Sequence, residues 1–291
     1  MELRVGLQMI SVQKAMIQDP LEAIRSVSKI GYHYLEFANH RGDQNDGCGI
    51  DLPAAKLRET MEECGLKSIG CHVVPFDMDN VDRLLSYHSE LGTPRLTACG
   101  TFYSSRASVL EKANLLNRLG ERCRKAGITL SYHNHFQEYQ KIGNERIIDV
   151  IMQQTDPVLV DFQMDTYWVL QGGYDPVEEL QRYGDRVKQI HQKDMLAEGM
   201  ERLVCDEIRR RGISVFDDQA MRNILRDHRV TEIGCGVMDI QRIIHAGVAC
   251  GAQDIILEQD YRDPDAGPEA ELKSIAVSMK NFQKMHGVTT K

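Results

Sequence analysis

Histidine, aspartate, glutamate and lysine residues recur in short clusters along this 291-residue chain. Imidazole nitrogens and carboxylate oxygens are the ligands that divalent cations such as Mn²⁺, Co²⁺, Zn²⁺ and Mg²⁺ accept in proteins. Several carboxylates gathered in one pocket without a cation would repel one another, and some would have to protonate. If the clusters converge, they therefore indicate a site for a divalent metal ion. Their members are Glu36, His72, His133, His135, Glu138, Asp165, His191, Lys193, Asp194, Glu258, Gln259 and Arg262.

Short apolar runs that alternate with helix-period segments must position these clusters. Such alternation is typical of parallel βα units, and eight units predict a closed (β/α)8 barrel of the α/β class. The absence of a G-x-G-x-x-G motif after the first strand counts against a dinucleotide-binding sheet. In such a barrel the active site is built at the carboxyl ends of the strands, which is where the polar clusters fall. The predicted strands are 4–8, 32–38, 67–74, 95–100, 129–135, 158–165, 187–194 and 254–260.

Domain organisation follows from the even spacing of these units. No Pro-, Gly- or Ser-rich linker interrupts the chain, so we predict one barrel domain over residues 1–291. A helical insertion over about 196–231 separates strand 7 from its helix, with helix-like stretches at 201–211 and 217–226. A connection of this length is more often functional than filler, and it could cover the barrel mouth or join subunits of a homo-oligomer.

Composition excludes several classes of protein. There are 35 Lys and Arg against 43 Asp and Glu, a formal net charge of −8, so nucleic acid is not the expected partner. We find neither a signal peptide nor an apolar run long enough to cross a membrane, so no membrane partner is expected. The eight cysteines form no C-x-x-C pair and suggest a reducing, cytoplasmic location.

Structural explanations compete with the functional ones at several positions. Glu36 could be a salt-bridge partner inside the barrel, and Asp165 could only cap the following helix. A single histidine on a strand or helix is usually a core or surface residue. We interpret His33, His88, His228, His245 and His286 in that way.

Five short sequence segments follow one another in the same order as the motifs of one known family, and together they extend over nearly the whole chain. The pattern resembles that of the sugar phosphate isomerase/epimerase family, the xylose isomerase-like TIM barrels. The resemblance therefore implies a TIM barrel that binds one divalent metal ion (Mn, Co, Zn or Mg). The segments are Tyr132-His133-Asn134-His135 with Glu138, Asp165-Thr166-Tyr167-Trp168-Val169, His191-Gln192-Lys193-Asp194, Glu232-Ile233-Gly234-Cys235-Gly236 with Asp239, and Glu258-Gln259-Asp260.

The resemblance also implies which residues form the site. The implied metal ligands are Glu138, Asp165, His191 and Glu258. The ligand from strand 5 has an alternative, because many relatives carry a glutamate on the strand where this chain has His133. Either His133 takes that position or Glu138 folds back from the loop. The expected catalytic residues are Glu138, Glu258, His135, His133 and Lys193, and the expected substrate contacts are Glu36, His72, Trp168, Gln259 and Arg262.

The expected activity is isomerisation or epimerisation of a sugar or polyol. A proton next to a carbonyl would be removed and returned, with the metal as Lewis acid and an enediolate as intermediate. Dehydration of a keto-sugar or keto-inositol is the alternative, because strand 5 also resembles that of inosose dehydratase-like members. Its histidines could protonate a leaving oxygen. A non-catalytic sugar-binding subunit is a further alternative, and the net charge disfavours a DNA repair endonuclease of the same barrel type.

Overall fold

A computed structural model describes residues 2–99, 102–224, 230–259 and 267–291. Its eight barrel strands are β1 (Leu3–Gln8), β2 (Tyr34–Asn39), β3 (Lys67–Val73), β4 (Arg95–Ala98), β5 (Thr129–His133), β6 (Val160–Asp165), β7 (Val187–Gln192) and β8 (Asp254–Leu257). The helices are α1 (Gln13–Gln18), α2 (Pro20–Ile30), α3 (Ala54–Glu63), α4 (Val81–Leu91), α5 (Arg106–Lys125), α6 (Ile147–Gln154), α7 (Thr166–Gln171), α8 (Pro176–Tyr183), α9 (Ala197–Met200), α10 (Val204–Arg211), α11 (Asp218–Ile224), α12 (Ile240–Cys250) and α13 (Pro268–Phe282).

Parallel pairing joins the eight barrel strands in sequence order and closes the sheet. Leu7 of β1 lies opposite Leu35 of β2 on one side and Leu257 of β8 on the other. The closed α/β barrel confirms the predicted TIM fold. Strands β5 and β7 end earlier than predicted, at His133 and Gln192, so His135 and Lys193 lie beyond the strands at the barrel mouth.

Successive side chains along the barrel strands point alternately to an outer apolar layer and to a polar barrel interior. Residues such as Leu35, Phe37 and Cys71 are buried in the main apolar cluster of the molecule. Gln163 of β6 contacts side chains from β2, β3, β5 and β7, which is possible only across the barrel interior. None of the helices in the described ranges is both long and apolar enough to cross a membrane.

The segment after β7 contains helices at both of the predicted positions, α10 and α11. Asp194–Met195 pairs antiparallel with Val230–Thr231, which brackets the insertion. The insertion packs beside the mouth through a second apolar cluster, because its side chains meet those of the loop after β5 and of α7. The buried members of this cluster are Phe136, Tyr167, Trp168, Met195, Ile208, Met221 and Ile224.

Candidate active site

Four of the predicted site residues meet at the carboxyl end of the barrel. His133 ends β5, Asp165 ends β6, His191 lies on β7 and Glu258 directly follows β8. One ligand atom of each lies within 4.8 Å of those of the other three. The four elements are neighbours in the sheet, which is why residues far apart in sequence converge. Two imidazole nitrogens and two carboxylate oxygens form a donor set that suits Mn²⁺, Co²⁺ or Zn²⁺.

Asp165 provides the test of whether these residues fit a cation. Its Oδ1 accepts a hydrogen bond from the backbone N–H of Trp168 at 2.9 Å. Asp165 therefore caps α7, which is the structural role that the sequence offered for it. Its Oδ2 is buried and has no hydrogen-bond partner among the residues that the structure describes. An unpartnered buried carboxylate oxygen is costly, and a divalent cation beside it would remove that cost. The donor set therefore fits a metal ion.

His191 and Glu258 are held in a charged network. His191 Nδ1 lies 2.7 Å from Glu258 Oε2 and Nε2 lies 2.5 Å from Glu36 Oε2. Although burial opposes a charged ring, the two carboxylates raise the pKa of His191 to about 10. Lys193 Nζ lies 2.7 Å from Glu258 Oε1. Burial opposes ionisation of Glu258, but the charges of Lys193 and His191 hold its pKa well below the ordinary value. Burial raises the pKa of Asp165 to about 7.

Glu36 lies beneath His191, inside the barrel. Gln8 and Gln163 donate to its carboxylate at 2.8 and 2.6 Å, and both of its oxygens are used by protein groups. Burial opposes its ionisation, but His72 and His191 lower its pKa below the ordinary value. Glu36 therefore forms an ion pair with His191 inside the barrel, as its structural alternative expected. It lies under His191 and is not among the residues that line the cavity.

A cavity of about 220 Å³ opens beside the ligand group. Burial lowers the pKa of His72 and His133, and it lowers the pKa of His135 to about 3, so these rings are neutral at pH 7. His135 Nδ1 is buried and has no partner among the described residues. The neutral ring therefore offers an unprotonated nitrogen without a hydrogen-bond partner beside the four residues. The side chains that line the cavity include Gln8, His40, His72, Cys99, His133, His135 and Glu258.

Glu138 does not join the group of His133, Asp165, His191 and Glu258. It lies in a short 3-10 helix, Gln137–Tyr139, after β5. Its Oε1 accepts from the Tyr132 hydroxyl at 2.7 Å, and its Oε2 accepts from the backbone N–H of His135 at 2.8 Å. Burial raises the pKa of this carboxyl to about 7. Of the two alternatives for the ligand from strand 5, His133 is the one that the fold brings to the group.

The remaining predicted residues lie around the site. The Trp168 ring is 5.6 Å from that of His135, and the backbone N–H of Gln259 donates to Ser11 Oγ at 2.9 Å. Arg262 lies outside the described residues. Sequence reasoning missed Gln163, although the two-residue period of β6 places it on the same face as Asp165.

Comparisons with known proteins agree with this architecture. The chain matches the family model of the xylose isomerase-like TIM barrel over residues 24–279. A sugar phosphate isomerase/epimerase from Parabacteroides distasonis superposes with a TM-score of 0.77 at 21% identity, over 99% of this chain and 96% of that one. A probable 3-DHS dehydratase from Bacillus anthracis gives a TM-score of 0.69 at 12% identity, over 97% and 99% of the two chains. At these identities the similarity concerns the fold.

Sequence similarity to curated proteins covers a shorter stretch. The inosose dehydratase of Geobacillus kaustophilus is 42% identical over 86 residues, which are 30% of this chain and 27% of that protein. The stretches matched in inosose dehydratases of other bacteria span from 26% to 46% of those proteins. The family match, in contrast, runs from α2 to α13 and includes all four residues of the group at the barrel mouth. The chain therefore belongs to the xylose isomerase-like TIM barrel family.

Proposed function

We propose that this protein is a metal-dependent enzyme that removes the proton next to a carbonyl group of a sugar or cyclitol. The observation that carries the proposal is the group of His133, Asp165, His191 and Glu258, in which Asp165 Oδ2 has no partner among the described residues. A divalent cation held there would act as a Lewis acid on the substrate carbonyl. The adjoining cavity of about 220 Å³ is lined by imidazole, amide and carboxylate groups, which suits a small polyol.

His135 is the proposed base. Its ring lines the cavity, and its Nδ1 has no hydrogen-bond partner among the described residues, so an unprotonated nitrogen is available to take a proton. The backbone bond from His135 to Glu138 and the nearby Trp168 ring fix the position of this histidine. Glu138 is therefore proposed as a positioning residue, and its contact to His135 runs through the main chain.

Dehydration is the reaction that we propose first. His135 takes the proton next to the carbonyl, and the electron pair of the broken C–H bond forms the new C=C bond. The resulting imidazolium then gives the proton to the departing β-hydroxyl oxygen, and water leaves. The similarity to inosose dehydratases supports a keto-cyclitol or keto-sugar as the substrate.

Isomerisation or epimerisation is the second candidate. It needs an acid–base group that returns the proton to a carbon atom. The favouring observation is that Glu258, paired with Lys193, also lines the cavity. The first proton transfer is common to both reactions, and only the fate of the proton separates them.

The test combines metal analysis with product analysis in D₂O. We would measure metal content by elemental analysis and incubate the protein with inosose and with keto-hexoses. The variants are Asp165→Asn, which keeps the oxygen that caps α7, and His135→Gln. His245→Gln is the matched control, because this histidine is exposed on α12, away from the mouth.

We expect the wild type and His135→Gln to hold about one Mn, Co or Zn per chain more than Asp165→Asn does. Activity should fall by about 100-fold or more in His135→Gln, as for loss of a general base, and stay unchanged in His245→Gln. An unsaturated product indicates dehydration, whereas deuterium exchange without water loss indicates isomerisation or epimerisation. Full activity of Asp165→Asn in chelator would overturn the proposal.

A further inference from the structure

A second group of ligand-type side chains lies outside the barrel mouth. Cys71 lies on β3, His88 on α4, and Cys48 in the loop that follows β2. One ligand atom of each lies within 4.8 Å of those of the other two. All three side chains are buried, with at most 2% exposure. The pattern of residues along the chain does not predict this group, because His88 has the surroundings of a core histidine and the two cysteines are far apart in sequence.

His88 is oriented as metal-binding histidines are. Its Nδ1 lies 3.2 Å from Thr93 Oγ1, and its Nε2 is buried without a hydrogen-bond partner among the described residues. Histidine ligands typically use one ring nitrogen for such an orienting bond and the other for the metal. A buried ring nitrogen without a partner otherwise costs free energy. Nε2 is thus available as a ligand atom, and the ring lies beside the Cys71 thiol, with which it interacts.

Cys48 is held in place by the two glycines beside it. The backbone N–H groups of Gly47 and Gly49 both donate to Asn45 Oδ1 at 3.0 Å. A Cβ atom at Gly47 would lie 2.5 Å from the Tyr87 ring, and Gly49 has a left-handed φ of +76°. Larger residues at either position would move the loop, so the Gly-Cys-Gly sequence fixes the thiol in the buried group.

We propose that Cys48, Cys71 and His88 bind a thiophilic cation, Zn²⁺ or Cu⁺, at a site separate from the barrel mouth. Thiolates with an imidazole favour these cations over Mn²⁺ or Mg²⁺. A Zn–S bond of about 2.3 Å places two sulfurs of a tetrahedral site about 3.8 Å apart, so small rotations suffice to close the group on a cation. Three protein ligands complete a trigonal Cu⁺ site, or leave a fourth position in a Zn²⁺ site.

Proton release is part of this binding. The Cys71 thiol donates a hydrogen bond to the backbone carbonyl of His72 at 3.3 Å, so the thiol carries a proton. A cation displaces that proton, and its affinity therefore increases with pH. The bound cation would tie the loop after β2 to β3 and α4. The same loop contributes His40 to the cavity, so the site would also stabilise one wall of the mouth.

Co²⁺ is the probe for this site, because thiolate ligands give Co²⁺ an intense near-ultraviolet charge-transfer band that the ligands at the mouth, which include no sulfur, cannot give. Metal-free, reduced protein would be titrated with Co²⁺, and then with Zn²⁺ or Cu⁺ to find which one displaces it. We expect one equivalent of thiolate-bound Co²⁺ in the wild type and in Asp165→Asn, so failure at the mouth does not affect the result. Cys123→Ala, which removes a buried thiol of α5, is the matched control and should keep the band.

Cys71→Ala and His88→Gln should lose the band or bind Co²⁺ at least ten-fold more weakly. Absence of the band in the wild type, a measurement that needs no variant, would overturn the proposal. So would a band in Cys71→Ala that appears with the Co²⁺ affinity of the wild type. Thiol titration of the reduced protein that still finds Cys48 and Cys71 joined in a disulfide would also overturn it.

Discussion

His191 shows how one ring can be prepared as a metal ligand. Its Nε2 is fixed by Glu36 at 2.5 Å from inside the barrel, while its Nδ1 faces Glu258 at the mouth. A carboxylate behind a ligating histidine fixes the ring and makes it a better donor. Glu36 is in turn held by Gln8 and Gln163. This chain of contacts explains why a carboxylate is kept at a position with no exposure to solvent.

The two alternatives for the strand 5 ligand can be separated by matched substitutions. His133 Nδ1 lies 3.0 Å from Gln163 Oε1, which leaves Nε2 for a cation. Glu138 is bonded to Tyr132 and to the His135 main chain instead. We expect His133→Gln to weaken Mn²⁺ binding by about 100-fold or more, beyond what loss of an outer contact costs. Glu138→Gln should bind Mn²⁺ as the wild type does and lose activity.

Isothermal titration of both variants with Mn²⁺ checks this prediction. Equal affinity for the wild type and His133→Gln, with weakened binding in Glu138→Gln, would mean that Glu138 rather than His133 reaches the cation. Near-ultraviolet circular dichroism is the control for folding, and we expect both variants to give the spectrum of the wild type.

The order of residues along the chain could predict the type of site but not every partner in it. Asp165, His191 and Glu258 follow from polar residues at strand ends, since parallel strands carry those ends to one face. The choice of His133 over Glu138 depends on where β5 stops and how the next loop turns, which a single sequence does not specify. Gln163 was overlooked because an amide inside a strand looks unremarkable until its four contacts are seen.

The connection between β7 and α12 is organised by one buried carboxylate. Asp194 Oδ2 accepts from the backbone N–H groups of Gly234 and Gly236 at 2.9 and 3.0 Å. Its Oδ1 accepts from those of Met195 and Met238. A Cβ atom at Gly236 would lie 2.3 Å from Asp194 Oδ1, so glycine is needed there. The Glu-x-Gly-x-Gly motif thus folds the insertion back to the barrel beside the site.

Asp194→Asn should destabilise the protein although the substitution is isosteric. The amide nitrogen would face two backbone N–H groups that now donate to a carboxylate, and hydrogen bonds to charged groups contribute about 1.5–3 kcal/mol each. We expect the free energy of unfolding to fall by about 3 kcal/mol in urea titrations. Asp239→Asn is the control, because Asp239 caps α12 and asparagine caps a helix about as well. A similar loss in both variants would contradict a special role for Asp194.

In the whole barrel, the four proposed metal ligands come from one half of the strands, and further side chains of the cavity come from the other half. His133, Asp165, His191 and Glu258 come from β5 to β8, which are consecutive in the sheet. The other half contributes cavity side chains such as Gln8 from β1 and His72 from β3. The closed barrel was predictable because eight βα repeats leave few other topologies. The packing of the insertion was not, since its apolar cluster joins three separate segments of the chain.

A cation bound by four consecutive elements should stabilise the barrel as a unit. Binding to the folded state alone adds about 2.7 kcal/mol to the free energy of unfolding at 100 times the dissociation constant, and about 1.4 kcal/mol for each further ten-fold increase. We expect Mn²⁺ to raise the stability of the wild type in this way, measured by urea unfolding at increasing Mn²⁺. Mn²⁺ is chosen because it prefers oxygen and nitrogen ligands over the thiols of Cys48 and Cys71. Asp165→Asn keeps the cap of α7 and should show no such increase, whereas equal stabilisation of both proteins would place the Mn²⁺ elsewhere.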